Sequence, residues 1–174
     1  MLIVKLIGCV LVILSSAGIG FYFSCQLKGR IEELVELKKI LMLLRGNIRY
    51  ASTPLAEALE SISLRHHGEL KDFLQYVSTQ MEQMQGRSIS DIWKDGVEKK
   101  IKGLSLTKAD KEALIGFGNN LGYLDKEMQL STIDLYVATI ETEIEEATRT
   151  VKEKTYLYNS LGLMAGIFLT ILLV

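Results

Sequence analysis

Charged residues are confined to the middle of this 174-residue chain, and their distribution restricts its fold more than any motif does. Of 41 charged residues, 40 lie between Lys28 and Lys154, and the remaining one is Lys5. An ordinary soluble domain carries polar groups over its whole surface, because charged side chains are rarely buried. We therefore expect a polar central region between two apolar terminal segments, and not an ordinary soluble globule.

Each apolar end is long enough to form a membrane-spanning helix. As a helix, residues 1–24 would extend about 36 Å at 1.5 Å per residue, and their only charge is Lys5. Residues 156–174 carry no charge. A hydrocarbon core about 30 Å thick requires roughly 20 apolar residues. We predict transmembrane helices at residues 1–24 and 156–174, on either side of a domain formed by residues 27–155.

A cleaved signal peptide is the alternative interpretation of the first segment. Lys5 and the apolar run that follows it are typical of such a peptide. The small residues Ser15, Ser16 and Ala17 are followed by more apolar residues as far as Phe23, which favours a retained helix. The sequence leaves open whether the segment is ever removed.

Basic residues beside the two predicted spans indicate their orientation, because positive charge near a span favours the cytoplasmic side. The central region carries such residues next to both spans, whereas the opposite side offers only Lys5 and the amino terminus. The basic residues are Lys28, Arg30, Lys38, Lys39, Arg149, Lys152 and Lys154. We predict that the central domain is cytoplasmic.

Heptad patterns at both ends of the central region predict long helices, and the fold class is predicted to be all-α. The first apolar stripe consists of Leu27, Leu34, Leu37, Ile40, Leu41, Leu43, Leu44 and Ile48. It predicts a helix that ends near Ala51. The second stripe lies in a stretch without glycine or proline, and it predicts a helix from about Asp125 into the second span.

Four shorter helices are predicted between these two, and three of them have recognisable starts. The start signals are Thr53 as an N-cap before Pro54 at the first helical position, and the capping-box pairs Ser88 with Asp91 and Thr107 with Asp110. The remaining helix follows Gly68. The predicted architecture is a six-helix cytoplasmic bundle flanked by N- and C-terminal transmembrane helices.

The sequence predicts no catalytic, metal or cofactor site. His66 and His67 are adjacent, so on a helix they point about 100° apart and do not converge on one metal ion. We interpret them as a solvated helix end. The chain has 20 basic and 21 acidic residues, a balance that disfavours nucleic acid as a partner. We expect no enzyme activity and no small-molecule substrate.

The charge pattern favours contacts with other proteins instead. Residues 27–108 carry 14 basic and 11 acidic side chains, whereas residues 109–155 carry 5 and 10. The glutamates of the last helix are interpreted either as a solvated face or as a docking strip for a basic partner. Candidate partner-binding residues are Arg45, Arg49, Tyr50, Thr53, Glu141, Glu145 and Glu146.

Small residues four positions apart occur in both predicted spans. Gly162 and Gly166 match the close-packing motif of membrane helices, and Ser16 and Gly20 form a similar pair. Such pairs allow two helix backbones to approach closely. The two spans could pair with each other, or either could contact another membrane protein.

Several stretches of the chain, in their order and spacing, resemble a known family. They are Val4–Gly8, Leu37–Leu41, Gly46–Tyr50, Thr53–Leu59, Phe117–Gly122, Glu143–Ala147 and Tyr156–Gly162. Together these stretches resemble the stage III sporulation protein AB family of endospore-forming bacteria, over essentially the whole chain. That family is in turn similar to the cytoplasmic helical domain of the inner-membrane platform proteins of type II secretion and type IV pilus systems.

The resemblance implies a noncatalytic adaptor in the mother-cell membrane facing the forespore. It implies a multiprotein complex that supports forespore development, other membrane subunits, and a cytoplasmic ATPase partner from the same operon. A membrane-anchored helical sensor or regulator without an ATPase partner is the alternative. Charged residues inside a span would favour a sensor, and only Lys5 qualifies, at the edge of its span.

Overall fold

A computed structural model describes most of the chain. The backbone is described for residues 2–51, 53–83, 86–121 and 125–173. Side chains are described for residues 25–51, 53–83, 86–121 and 125–151, and for Ser15, Gly18, Tyr22, Ser160 and Met164.

The described backbone is helical, which confirms the predicted all-α fold class. It forms six α-helices and one π-helical turn, and none of the described residues lies in a strand. The elements are α1 (Leu2–Gly46), a π-helical turn (Asn47–Ala51), α2 (Leu55–Ser63), α3 (Gly68–Glu82), α4 (Ile89–Lys100), α5 (Lys108–Asn119) and α6 (Lys126–Leu173).

The chain divides into two compact units. One unit is made of Met1–Ile31 and Glu145–Val174, and it contains the start of α1 and the end of α6. The other unit is Glu32–Ile144, which contains α2 to α5 together with the adjoining parts of α1 and α6.

The capping box predicted for α5 occurs at its predicted position, whereas at α4 only the Ser88 N-cap half of the predicted box forms. The Thr107 hydroxyl accepts a hydrogen bond from the Asp110 backbone N–H at 3.1 Å, and the Asp110 carboxylate accepts one from the Thr107 N–H at 2.8 Å. At α4, the Ser88 hydroxyl accepts from the Asp91 N–H at 3.1 Å. The Asp91 carboxylate accepts a hydrogen bond from that hydroxyl at 2.7 Å. In a full capping box it would accept from the Ser88 backbone N–H instead.

The predicted N-cap of α2 is wrong by one residue. Pro54, and not Thr53, occupies the N-cap position, and no side chain caps this helix. Pro54 has φ −53° and ψ 144°, so its backbone is still extended, and its carbonyl accepts from the Ala58 N–H at 2.9 Å. Proline fixes φ but leaves ψ free, so it can adopt the extended backbone of the N-cap position, just before the first turn.

Six of the eight residues of the predicted apolar stripe of α1 are buried, whereas Leu27 is half-buried and Leu43 is exposed. Its buried members are Leu34, Leu37, Ile40, Leu41, Leu44 and Ile48. The prediction was wrong for Leu43, which is 36% exposed. At 3.6 residues per turn, Leu43 lies about 200° around the helix from Leu41, and therefore on the opposite face.

Aromatic rings connect four helices in the core of the Glu32–Ile144 unit. The ring centroids of Phe73 and Trp93 are 4.9 Å apart in an edge-to-face arrangement, and those of Trp93 and Phe117 are 5.6 Å apart. Phe117 stacks on Tyr136 of α6 at 4.9 Å. The indole N–H of Trp93 donates to the Leu114 carbonyl at 2.9 Å, which satisfies the one polar atom of this buried ring.

No stretch of described residues is both long enough and apolar enough to cross a bilayer. Most residues of the two predicted spans fall outside the described side chains, including Ser16, Gly20, Gly162 and Gly166. The two-span topology and the packing role of these four residues therefore stay predictions.

Candidate docking surface

Two ion pairs join α1 to α6 and include two of the predicted contact residues. Arg45 binds Asp134 through two nitrogens, at 2.5 Å from Nε to Oδ1 and 3.1 Å from Nη2 to Oδ2. Lys38 binds Glu141 at 2.7 Å. Arg45 and Glu141, predicted as partner-binding residues, therefore already have partners within the same chain.

The predicted contact residues Arg49 and Tyr50 lie side by side on the π-helical turn. Tyr50 is 82% exposed, although tyrosine is a large and partly apolar side chain. The Arg49 guanidinium carbon lies 5.8 Å from the centre of the Tyr50 ring, within the range of a cation–π interaction. At an exposed site such a contact contributes about 0.5–1 kcal/mol.

Arg49 and Tyr50 continue an exposed face of α1, which we name the outward strip. The outward strip consists of Lys39, Met42, Leu43, Gly46, Arg49 and Tyr50. Met42 is 55% exposed, because it points about 100° around the helix from the buried Leu41. The strip combines apolar area with two cations.

The cations of the outward strip have no carboxylate partner among the described residues. Neither Lys39 nor Arg49 forms a salt bridge in that part of the chain. Glu36, one turn before Lys39, is bound instead to the Nδ1 atom of His66 at 3.1 Å. The strip therefore presents uncompensated positive charge next to apolar side chains.

The histidine prediction needs a correction at His66. Its side chain is 11% exposed and contacts Glu36, so it is not a solvated helix end. His67 is exposed and occupies the N-cap position of α3. Within the described residues, no three His, Cys, Asp or Glu side chains are grouped in a way that could hold a metal ion.

The outward face of α6 differs in character from that of α1. Met128 and Leu135 are 52% and 72% exposed. The hydroxyls of Thr139 and Thr142 donate to the carbonyls one turn earlier on their own helix, at 3.1 and 3.2 Å. This face is therefore uncharged and offers few free hydrogen-bonding groups from Met128 to Thr142.

The remaining predicted contact residues are Glu145, Glu146 and Thr53, which lie outside the outward strip. Glu145 and Glu146 are exposed and belong to the unit that contains the end of α6. Thr53 is half-buried and precedes α2. Sequence reasoning missed Lys39, Met42 and Gly46, although the heptad pattern could have identified Met42, because it lies outside the a and d positions of the apolar stripe.

A shallow groove with polar lining lies between α3 and α4. It has a volume of about 310 Å³ and is lined by Asp72, Tyr76 and Lys100 among others. The Lys100 ammonium lies 5.5 Å from the centre of the Tyr76 ring, so its charge already has a partner. The groove is open to solvent, whereas small-molecule sites enclose most of their ligand.

The pKa shifts of Asp95 and Tyr136 have structural causes. Lys99 and then Arg87 hold the pKa of the Asp95 carboxyl below its usual value, in an ion-pair cluster with distances of 2.9 and 2.7 Å. Burial, with a smaller contribution from negative Asp110, raises the pKa of the Tyr136 hydroxyl. The half-buried Asp95 is neutralised by its ion pairs and Tyr136 packs in the core, so we assign neither residue to a reaction centre.

In the described part of the chain, the fold is that of an all-α protein. The chain belongs to the stage III sporulation protein AB family, whose profile matches residues 5–174. Membership supports a role in sporulation, and it confirms the resemblance found in the sequence.

Two relatives extend this finding. The chain is 27% identical over 169 residues to stage III sporulation protein AB of Bacillus subtilis strain 168, an alignment that covers 97% of this chain and 98% of that protein. A solved structure of stage III sporulation protein AB is similar with a TM-score of 0.66 and 26% identity. That similarity covers 71% of this chain and 97% of the solved chain.

Proposed function

We propose that this protein is a noncatalytic platform subunit of a sporulation-specific, secretion-like complex. Residues 1–24 and 156–174 span the mother-cell membrane that faces the forespore, and the helical domain projects into the cytoplasm. There it docks a cytoplasmic ATPase from the same operon, while the spans contact other membrane subunits. The protein supports forespore development by linking these components.

The charge distribution supports the membrane part of this proposal. The terminal segments carry Lys5 as their only charge, and each is long enough to cross a bilayer as a helix. Basic residues are concentrated on the domain side of each segment, as positive-inside topology requires.

The outward strip of α1 is the observation that carries the docking part. Exposed Met, Tyr and Arg side chains are enriched where proteins bind one another. The uncompensated charges of Lys39 and Arg49 favour a partner with acidic groups, because complementary charge accelerates and orients association. Arg45 and Glu141 contribute less in this proposal, because their charges are satisfied within the chain.

Charge reversal on the strip tests the docking. The full-length protein is co-expressed with the ATPase and captured from detergent-solubilised membranes. We expect Arg49→Glu to reduce co-purified ATPase by about tenfold, in the range of an interface hot spot. Lys102→Glu is the matched control, because Lys102 is also exposed but lies outside the strip, in the connection between α4 and α5.

The control variant should retain the ATPase at the wild-type level. If the unmodified protein itself fails to capture the ATPase, the adaptor function is wrong and the sensor or regulator without an ATPase partner becomes the better assignment. If both variants lose the ATPase equally, general charge and not the strip governs binding.

Topology is tested by cysteine labelling in intact cells. Cys9 and Cys25 are replaced by serine, and Ser61→Cys introduces one exposed thiol on α2. We expect a membrane-impermeant maleimide to label this thiol only after lysis. Labelling in intact cells would place the domain outside and contradict docking of a cytoplasmic ATPase.

A further inference from the structure

We propose that Gly46 forms a notch in the outward strip of α1, and that the notch receives a bulky apolar side chain from an acidic amphipathic helix of the ATPase. This inference rests on the proposed function and specifies the contact within it. The occupant is identified by three properties: helical form, one large apolar residue, and carboxylates on both sides of that residue.

The notch follows from the arrangement of side chains around Gly46. A Cβ atom added to Gly46 would meet no heavy atom within 4 Å, so the space above this residue is empty. Met42 and Leu43 lie one turn before Gly46, and Arg49 and Tyr50 lie in the following turn. Four side chains therefore surround a position without one, which is the form of hole that accepts a side chain from a facing helix.

Backbone conformation does not explain the glycine at this position. The described glycines with positive φ are Gly68 and Gly86, and Gly46 is not among them. A glycine in an ordinary helical conformation destabilises a helix by about 0.5–1 kcal/mol relative to alanine. Since Gly46 faces outward into open space, packing within the chain does not require it either. The missing side chain leaves space for a side chain that enters from outside.

The rim of the notch specifies the chemistry of the occupant. Met42 and Leu43 provide an apolar floor and side, and methionine adapts its shape to an incoming group. Lys39 and Arg49 have no carboxylate partner in the described part of the chain. Glu32 is the next exposed acid along this face, seven residues before Lys39 and about 10 Å along the helix axis. Carboxylates on the occupant would compensate both cations.

Filling the notch is the most direct test. Gly46→Leu is compared with Gly116→Leu in α5, because Gly116 also has nothing within 4 Å of an added Cβ. Each full-length variant is co-expressed with the ATPase and captured from membranes. We expect Gly46→Leu to lower ATPase recovery by about tenfold, since a filled hole excludes the incoming side chain. Gly116→Leu should leave recovery unchanged.

Gly46→Ala separates loss of binding from loss of folding. This variant adds one methyl group and favours the helix, so it should unfold at the same or a higher urea concentration than the wild type. We expect it to lower ATPase recovery by about threefold, between the wild type and Gly46→Leu. If ATPase recovery stayed unchanged with both Gly46→Ala and Gly46→Leu, the proposed binding role of the notch would be wrong. Capture that fails already with the wild type would instead contradict the proposed function.

Photo-crosslinking identifies the occupant. p-Benzoylphenylalanine is introduced in place of Met42 in the full-length protein, and the crosslinked peptide is sequenced by mass spectrometry. We expect a peptide of the ATPase that is helical by periodicity, with a large apolar residue between acidic ones. A crosslink to a second copy of this chain, or to a basic segment of the ATPase, would overturn the inference.

Discussion

Glycines in two regions of this protein perform opposite tasks. In the core, Gly96 and Gly118 lie directly against aromatic rings: an added Cβ at Gly96 would be 2.9 Å from Cε2 of Phe73, and one at Gly118 would overlap the indole of Trp93. On the outward strip, Gly46 has nothing near it. The core glycines make room for residues of their own chain, whereas Gly46 leaves room that the chain does not use.

The difference shows how an absent side chain can be interpreted. Where a neighbour fills the space, glycine is explained by packing, because interiors are packed at the density of organic crystals. Where the space is open and the surrounding side chains are exposed, stability alone would favour alanine. The two regions should therefore respond with opposite signs to the same substitution.

The largest effect is expected from removing the ring that the core glycines accommodate. Trp93→Ala should lower the free energy of unfolding by about 3–5 kcal/mol, because it leaves a cavity and removes the hydrogen bond from the indole to the Leu114 carbonyl. The free energy of unfolding is measured by urea unfolding followed by far-UV circular dichroism. Tryptophan fluorescence cannot be used, because Trp93 is the only tryptophan and the variant lacks it. Trp93→Phe should lose less, and a loss below about 1 kcal/mol for Trp93→Ala would contradict the assignment of this ring to the core.

A smaller loss is expected from adding one methyl group beneath that ring. Gly118→Ala should destabilise the protein by about 1–3 kcal/mol, because the indole of Trp93 must move. The control is Gly116→Ala, two residues earlier on the same helix and facing open space. Thermal unfolding of both variants in the same detergent gives the difference, and equal melting temperatures would break the comparison.

The outward strip should give the opposite sign. Gly46→Ala is expected to stabilise the protein by about 0.5–1 kcal/mol, since alanine restricts the unfolded chain and meets no neighbour in the folded one. The midpoint of urea unfolding reports this change. Destabilisation would mean that the space above Gly46 is occupied within the chain, and the distinction between the two regions would disappear.

The smallest effect on stability is expected at the most exposed residue of the strip. Tyr50→Ala should change the free energy of unfolding by less than about 0.5 kcal/mol, because the ring is 82% exposed and loses only its contact with Arg49. Recovery of the ATPase should nevertheless fall. A large loss of stability, with binding intact, would place Tyr50 among the structural residues.

Periodicity predicted most of the helical framework. The capping pairs at Ser88 and Thr107 located the starts of α4 and α5, because each signal depends on residues only three positions apart. The heptads of α1 and α6 predicted their buried faces in the same local way. Leu43 was assigned to the wrong face because it is apolar, although its phase on the helix places it outside.

The candidate site depended on features that sequence patterns do not contain. The contact between Arg45 and Asp134 joins residues 89 positions apart, and it depends on the relative register of two helices. The π-helical turn at Asn47–Ala51 interrupts the α-helical period of 3.6 residues, which was used to predict a helix as far as Ala51. Arg49 and Tyr50 were selected from charge and position, and their adjacency to an empty position became visible only in three dimensions.

The two ion pairs between α1 and α6 also restrict how these helices can slide. Lys38 and Arg45 are seven residues apart, as are Asp134 and Glu141, so the two spacings match. A slide of one turn would separate both pairs, whereas a slide of seven residues, about 10 Å, would rejoin one cation with the other anion. The matched charges therefore favour discrete alignments of the two helices over the positions between them.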